Sequence, residues 1–339
     1  MEFTVQLSGA KSRVIIEKGC HRHIADYTAF SGKVAVISDD NIPYSLKETV
    51  LSQLDNATLI EVPQGEKAKS IEVYTMVQSR LLELGFSRKD TVIALGGGVV
   101  GDLAGFVAAT YKRGCRLVSI PTTTLSQIDS SIGGKTAINM NGIKNCVGCF
   151  YHPEVVFVDT ETLATLPERH FINGLAEAFK AGCIRDPQLF EIFRQQADSL
   201  TADSPCLEEI ITRSLLMKRD VVQQDEKEQN LRKILNFGHT IGHALESLYN
   251  MQDYYHGECV ANGMIMITEN PLLRKEIEDI VCRMGIPLIT DTDEDRCIEF
   301  IRNDKKASGQ TVDIVKVDTV GSAYIEKTDI ENLRKYFRR

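Results

Sequence analysis

Short runs of aliphatic and β-branched residues recur through the first 160 positions, at residues 4–7, 14–17, 34–38, 58–62, 91–95, 117–120 and 155–158. Runs of this length, bounded by turn residues, predict buried strands. Between several of them the apolar spacing changes to three and four, as at Ile71, Tyr74, Val77, Leu81 and Leu84, which predicts an amphipathic helix. Strands alternating with helices make βαβ units and a mostly parallel sheet. Beyond Asp159 helical spacing takes over, over residues 167–184, 188–197, 206–224, 231–249, 257–267 and 275–284. Pro167 suits a first helical turn, where its missing N–H costs nothing. Strand patterning returns only at residues 312–317 and 322–326. The patterns predict an α/β domain over residues 1–160 and a mainly α-helical domain over residues 161–339.

The strand at 91–95 runs into Gly96-Gly97-Gly98-Val99-Val100-Gly101-Asp102 and then a helical stretch over 103–111. Gly96, Gly98 and Gly101 satisfy G-x-G-x-x-G in the strand–turn–helix setting that a dinucleotide site requires. Such glycines let backbone approach a pyrophosphate, and the helix start offers unpaired N–H groups. The first domain is therefore expected to be Rossmann-like. The acid expected about twenty residues later is missing, since neither Asp nor Glu occurs between Asp102 and Asp129. Ribose recognition then falls to another acid, with Asp39 at the end of an earlier strand as the candidate.

Pro121-Thr122-Thr123-Thr124 closes the next strand, and Asp129-Ser130-Ser131-Ile132-Gly133-Gly134-Lys135-Thr136 follows. The Gly-Lys-Thr ending resembles a P-loop, but Asp129 stands where its first glycine belongs, which excludes that nucleotide site. Asp129, Lys135, Lys144 and Asn145 remain as a polar loop.

The helical half carries the sharper chemistry. Glu177 and Lys180 lie three apart, and His239 and His243 four apart, each pair on one helical face. His256 opens a further helix in His256-Gly257-Glu258. One carboxylate and two imidazoles from three segments would give a divalent cation three ligands and an open position, as in catalytic zinc sites. Arg232 and Asn236 are again four apart and face the same way as His239, within one expected helix. Lys135, Lys144, Lys180, Lys218 and Arg232 form a basic set that suits a substrate with phosphate and carboxylate groups.

Composition narrows the classes. A net charge of −8 argues against nucleic-acid binding through a broad basic face, but allows a small anionic ligand in a local basic pocket. Residues 92–110 are apolar except for Asp102 and contain five glycines, which fits a buried strand, turn and helix and not a membrane span. The first 13 residues have no apolar leader core, so no export signal is expected. Nine cysteines, an odd number, suit reduced thiols and a cytoplasmic location. Cys146 and Cys149 make a lone C-x-x-C, with no second pair to complete a metal site.

Taken in order, the glycine turn through Asp102, Pro121-Thr122-Thr123, Asp129 through Thr136, Lys144-Asn145, Ala176-Glu177 with Lys180, Leu231-Arg232 with Asn236-Phe237-Gly238-His239, and His256-Gly257-Glu258 resemble the 3-dehydroquinate synthase family. The resemblance spans roughly residues 30–310. It implies conversion of 3-deoxy-D-arabino-heptulosonate 7-phosphate to 3-dehydroquinate and phosphate, with NAD and a divalent metal, zinc or cobalt, in a homodimer. It implies Glu177, His239 and His256 as metal ligands, and His243 as a polar catalytic or positioning group. Lys135, Asn145, Lys180, Lys218, Arg232 and Asn236 fall to the substrate, with Glu228 beside them and one lysine of Asp304-Lys305-Lys306. Arg113 matches a phosphate-contacting arginine supplied across a dimer interface. Asp39, Glu66, Lys69, Gly97, Gly98, Asp102, Thr122, Thr123, Asp129, Lys135, Lys144, Thr165 and Leu166 correspond to NAD-side positions. The competing readings are a related sugar-phosphate cyclase and a metal-dependent polyol dehydrogenase.

Three features depart from the family pattern. Ile143 stands where a glycine usually precedes Lys144, and a stiff β-branched residue is expected to reshape that loop. The segment from Met264 to Leu272 is shorter than usual. Cys146, Cys149, Cys183 and Cys259 occupy positions where small or apolar residues are common.

Overall fold

A computed structural model describes residues 1–249, 253–304 and 309–338. Its first half contains strands β1 (Glu2–Leu7), β2 (Ala10–Ile16), β3 (Val34–Asp39), β4 (Ala57–Val62), β5 (Thr91–Gly96), β6 (Arg116–Pro121), β7 (Lys135–Met140), β8 (Ile143–Phe150) and β9 (Val155–Val158). Helices α1 (Ile24–Tyr27), α2 (Tyr44–Leu51), α3 (Ile71–Glu83) and α4 (Gly98–Thr110) lie among them. Seven strands form one sheet in the order β1-β2-β9-β6-β5-β3-β4, parallel except for the β1–β2 pair. Alternate residues face two cores. Ala35, Ile37, Val92, Ala94 and Leu117 pack with Val77 and Leu103, while Val36, Ile93, Leu95, Val118 and Ile120 pack with Ile24 and Val50. Burial on both faces is why these strands are continuous apolar runs. Each such Val, Leu or Ile side chain contributes about 1.5–3 kcal/mol.

From β3 the chain moves outward to β4, then returns to β5 on the other side of β3. In open parallel sheets a ligand crevice forms outside the carboxyl ends of strands at such a reversal. Here those ends are Asp39 and Gly96.

The expected polar loop is a π-helical turn (Ser126–Ser130) followed by the β7–β8 hairpin. Asn141 and Gly142 form its turn with φ of 52° and 77°, the left-handed pair that a tight hairpin requires. Ile143 opens β8, so its β-branched stiffness suits a strand and does not distort a loop. Lys135 pairs with Phe150 at the hairpin base, whereas Asn145 lies toward the turn. The two are therefore separated by roughly 13 Å of strand instead of sharing a loop. Cys146 and Cys149, three apart on β8, point to opposite faces, and all nine cysteines are free.

The chain divides into units Met1–Pro167 and Glu168–Arg339, not at 160/161. The 3-10 turn Thr160–Thr165 belongs to the first unit because Asp159 caps it and Thr162 is held by Gln127, whose Nε2 donates to its hydroxyl at 3.0 Å.

The second unit holds α5 (Glu168–Ile184), α6 (Pro187–Gln196), α7 (Leu207–Gln224), α8 (His239–Leu248), α9 (His256–Ile267), α10 (Pro271–Arg283), α11 (Glu294–Asp304), the antiparallel hairpin β10 (Thr311–Thr319) and β11 (Ser322–Asp329), and α12 (Arg334–Phe337). The shortened link between α9 and α10 is Thr268 to Asn270, with Asn270 capping α10 and Pro271 in its first turn. The expected single helix over 231–249 is broken. Residues Leu231–Asn236 are a 3-10 helix, and Gly238, at φ 79°, turns the chain before α8 begins. Arg232 and Asn236 thus do not share a helical face with His239. No helix among the described residues is long and apolar enough to cross a membrane.

Candidate active site

Register aligns the carboxyl ends of three neighbouring strands in the first unit. Ser38 pairs with Leu95, and Gly96 with Pro121, so Asp39, Gly97 and Thr122 emerge side by side. The Thr122 N–H donates to the Gly96 carbonyl at 3.0 Å. Gly97 caps α4, directing that helix's unpaired N–H groups and positive end at the crevice. A Cβ on Gly97 would lie 2.9 Å from Thr123 Cγ2, and one on Gly98 3.0 Å from Ser130 Oγ. Burial pushes the Asp39 carboxyl above its usual range, although it accepts the Asn41 N–H at 2.9 Å.

Lys69 is the hub of the neighbouring network. It is 3% exposed and donates to Asp102 Oδ2 at 2.5 Å and to Asn145 Oδ1. Asn139 ties in Glu66, its Nδ2 donating at 2.8 Å, and accepts the Asn145 N–H at 2.8 Å. Glu66, Lys69, Asp102 and Asn145 therefore meet, and Asn139 joins them. Sequence reasoning missed Asn139, because only strand pairing places it there.

The other expected positions are located by their elements. Asp129 lies in the π-helical turn, Lys144 is exposed on β8, and Thr165 and Leu166 end the first unit's last turn. Lys135 lines a small cavity with Gly101, Ser119, Ser131 and Tyr151. Lys112 and Arg113 are left-handed, with φ of 46° and 69°, and present Arg113 to solvent. Non-glycine residues adopt this conformation at a cost of about 1–3 kcal/mol, which is often retained where position matters.

In the second unit, α5 packs against α9, and α8 against α9. The α8–α9 crossing depends on small residues: a Cβ on Gly263 would lie 2.1 Å from the Gly238 carbonyl oxygen. Close approach brings His239 and His256 to Glu177, which is 3% exposed. His256 Nε2 lies 3.3 Å, and His239 Nε2 3.5 Å, from Glu177 Oε1. Lys180 Nζ stands 2.5 Å from Oε2. Neither buried oxygen of Glu177 has a partner in hydrogen-bond geometry. The outer nitrogens of both rings are occupied: His239 Nδ1 faces the Phe237 carbonyl at 3.2 Å, and His256 Nδ1 faces Glu246 Oε2 at 3.1 Å. Carbonyl and carboxylate only accept, so each Nδ1 carries a proton; neutral His239 turns its Nε2 lone pair toward Glu177, and His256 offers one once its Nε2 proton is displaced. One oxygen of this carboxylate and one nitrogen from each ring, all within 4.8 Å, fit a divalent cation.

Electrostatics separates the two rings. Burial would raise the Glu177 carboxyl, but Lys180, His239 and His256 outweigh it and hold it well below the usual carboxylate range. Burial pushes His239 down to about 3, so it is neutral. Burial also opposes charge on His256, yet its contacts with Glu177 and Glu246 raise it to about 10.

His243 joins the cluster, its ring centroid 5.4 Å from that of His239 and 5.8 Å from that of His256. Glu228, left-handed at φ 58°, accepts from Asn236 Nδ2 at 2.7 Å. Arg232 is buried and donates to the Glu226 carbonyl at 2.6 Å; Lys218 is buried on α7, which packs against α5. Lys305 and Lys306 lie outside the described residues. Sequence reasoning also missed Glu246, although 239, 243 and 246 follow one helical stripe. Glu258 of the His-Gly-Glu string is structural: it accepts from Arg169 at 2.7 Å and caps α9 by accepting the Tyr255 N–H at 2.9 Å.

A second cluster, His21, Asp159 and Glu161, is filled by protein donors and acts as a clamp. Gly263→Ala is expected to force α8 and α9 apart, costing about 1–3 kcal/mol by overpacking. It should weaken cation binding at Glu177 in the same variant, measured by thermal melting and equilibrium dialysis.

Comparison with known proteins agrees with these features. The family models described as 3-dehydroquinate synthase N-terminal and C-terminal match residues 59–173 and 174–307. The chain is 39% identical over 348 residues to the 3-dehydroquinate synthase of Pelobacter propionicus, covering 97% of each chain. It is 40% identical over 345 residues to that of Clostridium perfringens, covering 96% of this chain and 98% of the relative. Among solved structures, a 2-deoxy-scyllo-inosose synthase complexed with carbaglucose-6-phosphate, NAD+ and Co2+ matches with a TM-score of 0.89 and 26% identity, covering 99% of this chain and 98% of the other. The matches run through both the glycine-turn unit and the Glu-His-His unit, and the chain belongs to the 3-dehydroquinate synthase family.

Proposed function

We propose that the chain converts 3-deoxy-D-arabino-heptulosonate 7-phosphate to 3-dehydroquinate and phosphate, using NAD on the first unit and zinc or cobalt on Glu177, His239 and His256. The observation that carries this reading is the convergence of two imidazoles on a buried carboxylate that is paired with Lys180 and makes no hydrogen bond of good geometry. Its setting is a chain that is 39–40% identical to curated synthases over nearly its whole length.

When bound, the cation supplies Lewis acidity toward hydroxyl and carbonyl oxygens, and the dinucleotide supplies reversible oxidation, so no net oxidation accumulates. The chain's own groups bind and orient. Asp39, the Gly97–Gly98 turn, Thr122 and Thr123 receive the dinucleotide, with Asp129, Lys144, Thr165 and Leu166 on the same side. The Glu66–Lys69–Asp102 network holds the neighbouring backbone and, through Lys69, fixes Asn145. Lys135, Lys180, Lys218 and Arg232 neutralise phosphate and carboxylate, and charge-assisted bonds of this kind position a flexible sugar acid for successive steps. Glu228 sets the Asn236 amide, and the Glu226 carbonyl sets the Arg232 guanidinium. His243 stands beside the cluster as a polar positioning group. In this reading Arg113, on its exposed left-handed turn, contacts phosphate across a homodimer interface. The nine free thiols support a cytoplasmic setting.

The test is phosphate release from the heptulosonate by full-length chain. Release should need added zinc or cobalt, stop with chelator and leave no NADH behind. Stoichiometric NADH would favour a polyol dehydrogenase, and turnover of glucose 6-phosphate or sedoheptulose 7-phosphate alone would favour a related cyclase.

A further inference from the structure

Glu246 lies on α8, seven residues after His239, and its Oε2 is 3.1 Å from His256 Nδ1. An ionised carboxylate only accepts hydrogen bonds, so this contact keeps a proton on Nδ1 and makes Nε2, which faces Glu177, the nitrogen that a cation takes over in place of a proton. We propose that Glu246 is a positioning residue that fixes the tautomer and ring plane of His256 and thereby sets the affinity of the cluster for its cation. The inference rests on the reading of Glu177, His239 and His256 as ligands. Ligating histidines commonly depend on such an outer partner, and removing it weakens metal binding by about 10–100-fold. His239 receives the same service from the Phe237 carbonyl, which no side-chain substitution removes. Glu246 is therefore the partner that mutation can test.

His243, Glu246 and His256 also bring ligand atoms within 4.8 Å of one another, and a second cation bound by the His256 nitrogen beside Glu246 would displace the Nδ1 proton that Glu246 accepts. The two uses exclude each other on one neutral ring.

The experiment is cobalt(II) titration of the metal-free, full-length chain, followed by visible absorption and chelator competition, with apo-protein melting in parallel. The wild-type chain should bind one ion at this cluster. Glu246→Ala should still bind one, about 10–100-fold more weakly, with the apo melting temperature unchanged. Glu246→Gln, whose carbonyl still accepts from Nδ1, should recover most of the affinity. Equal affinity in Glu246→Ala overturns the proposal. So does a matching loss of apo stability without rescue by glutamine, or a wild-type stoichiometry of two that falls to one in Glu246→Ala. A wild-type chain that binds no cobalt overturns both this inference and the ligand assignment beneath it.

Discussion

Glu177→Ala is expected to leave the full-length chain without bound cation and to lower phosphate release by more than about a thousandfold, a loss of over 4 kcal/mol in transition-state stabilisation. Two effects act in the same direction. The substitution deletes the one anionic member of the proposed three-ligand set, whose buried oxygens make no hydrogen bond of good geometry. It also removes the carboxylate 2.5 Å from the buried Lys180 ammonium, leaving a positive charge where a cation must enter. Uncompensated buried charge costs about 3–5 kcal/mol. Metal content after gel filtration separates the causes: an occupied but inactive variant would show that Glu177 does not hold the ion, and wild-type turnover would refute the site.

The second large effect concerns stability and lies away from the chemistry. Asp159 is fully buried at the end of β9 and accepts the N–H groups of Gly19 at 2.9 Å, His21 at 3.1 Å and Glu161 at 2.9 Å, as well as the His21 ring Nδ1. Asp159→Ala strands these donors and is expected to destabilise the chain by about 3–5 kcal/mol, a large share of the roughly 5–15 kcal/mol a domain possesses. Asn is a poor substitute, since its amide would face two of the donors. Burial opposes ionisation of Asp159, but His21 and the backbone N–H groups prevail and lower its pKa. The folded carboxyl is therefore the stronger acid. Its contribution is complete above the ordinary carboxylate pKa near 4 and is lost as pH falls through the depressed folded value. Melting of wild type and variant should thus converge in acid; a constant difference down to the lowest accessible pH would refute the clamp.

Much of the scaffold was legible because its signals are local. The β-branched runs became β1 to β6 and β9, and the Ile71–Leu84 stripe became α3, since periods of two and 3.6 record how neighbouring residues face a core. The hairpin at 135–150 was read as a loop because β8 is largely exposed and lacks an apolar face, although Asn141-Gly142 was its signal. The break at Gly238 was missed because a glycine inside helical spacing is tolerated as often as it ends a helix. In Cys183 and Cys259 the thiol behaves as a small buried hydrophobe, so their departure from the family pattern changes little.

By itself, the order of residues determined the parallel-sheet unit, the helical unit, the glycine turn at the end of β5 and the identity of the acid and imidazoles available for a cation. All of these depend on short-range spacing and side-chain chemistry. Tertiary structure alone decided that Lys69 joins Asp102 and Asn145, 33 and 76 positions away, and that Glu246 meets the His256 ring. Those contacts exist only where strand register and the close α8–α9 crossing bring distant backbone within a few ångströms, a distance that no pattern along the chain encodes.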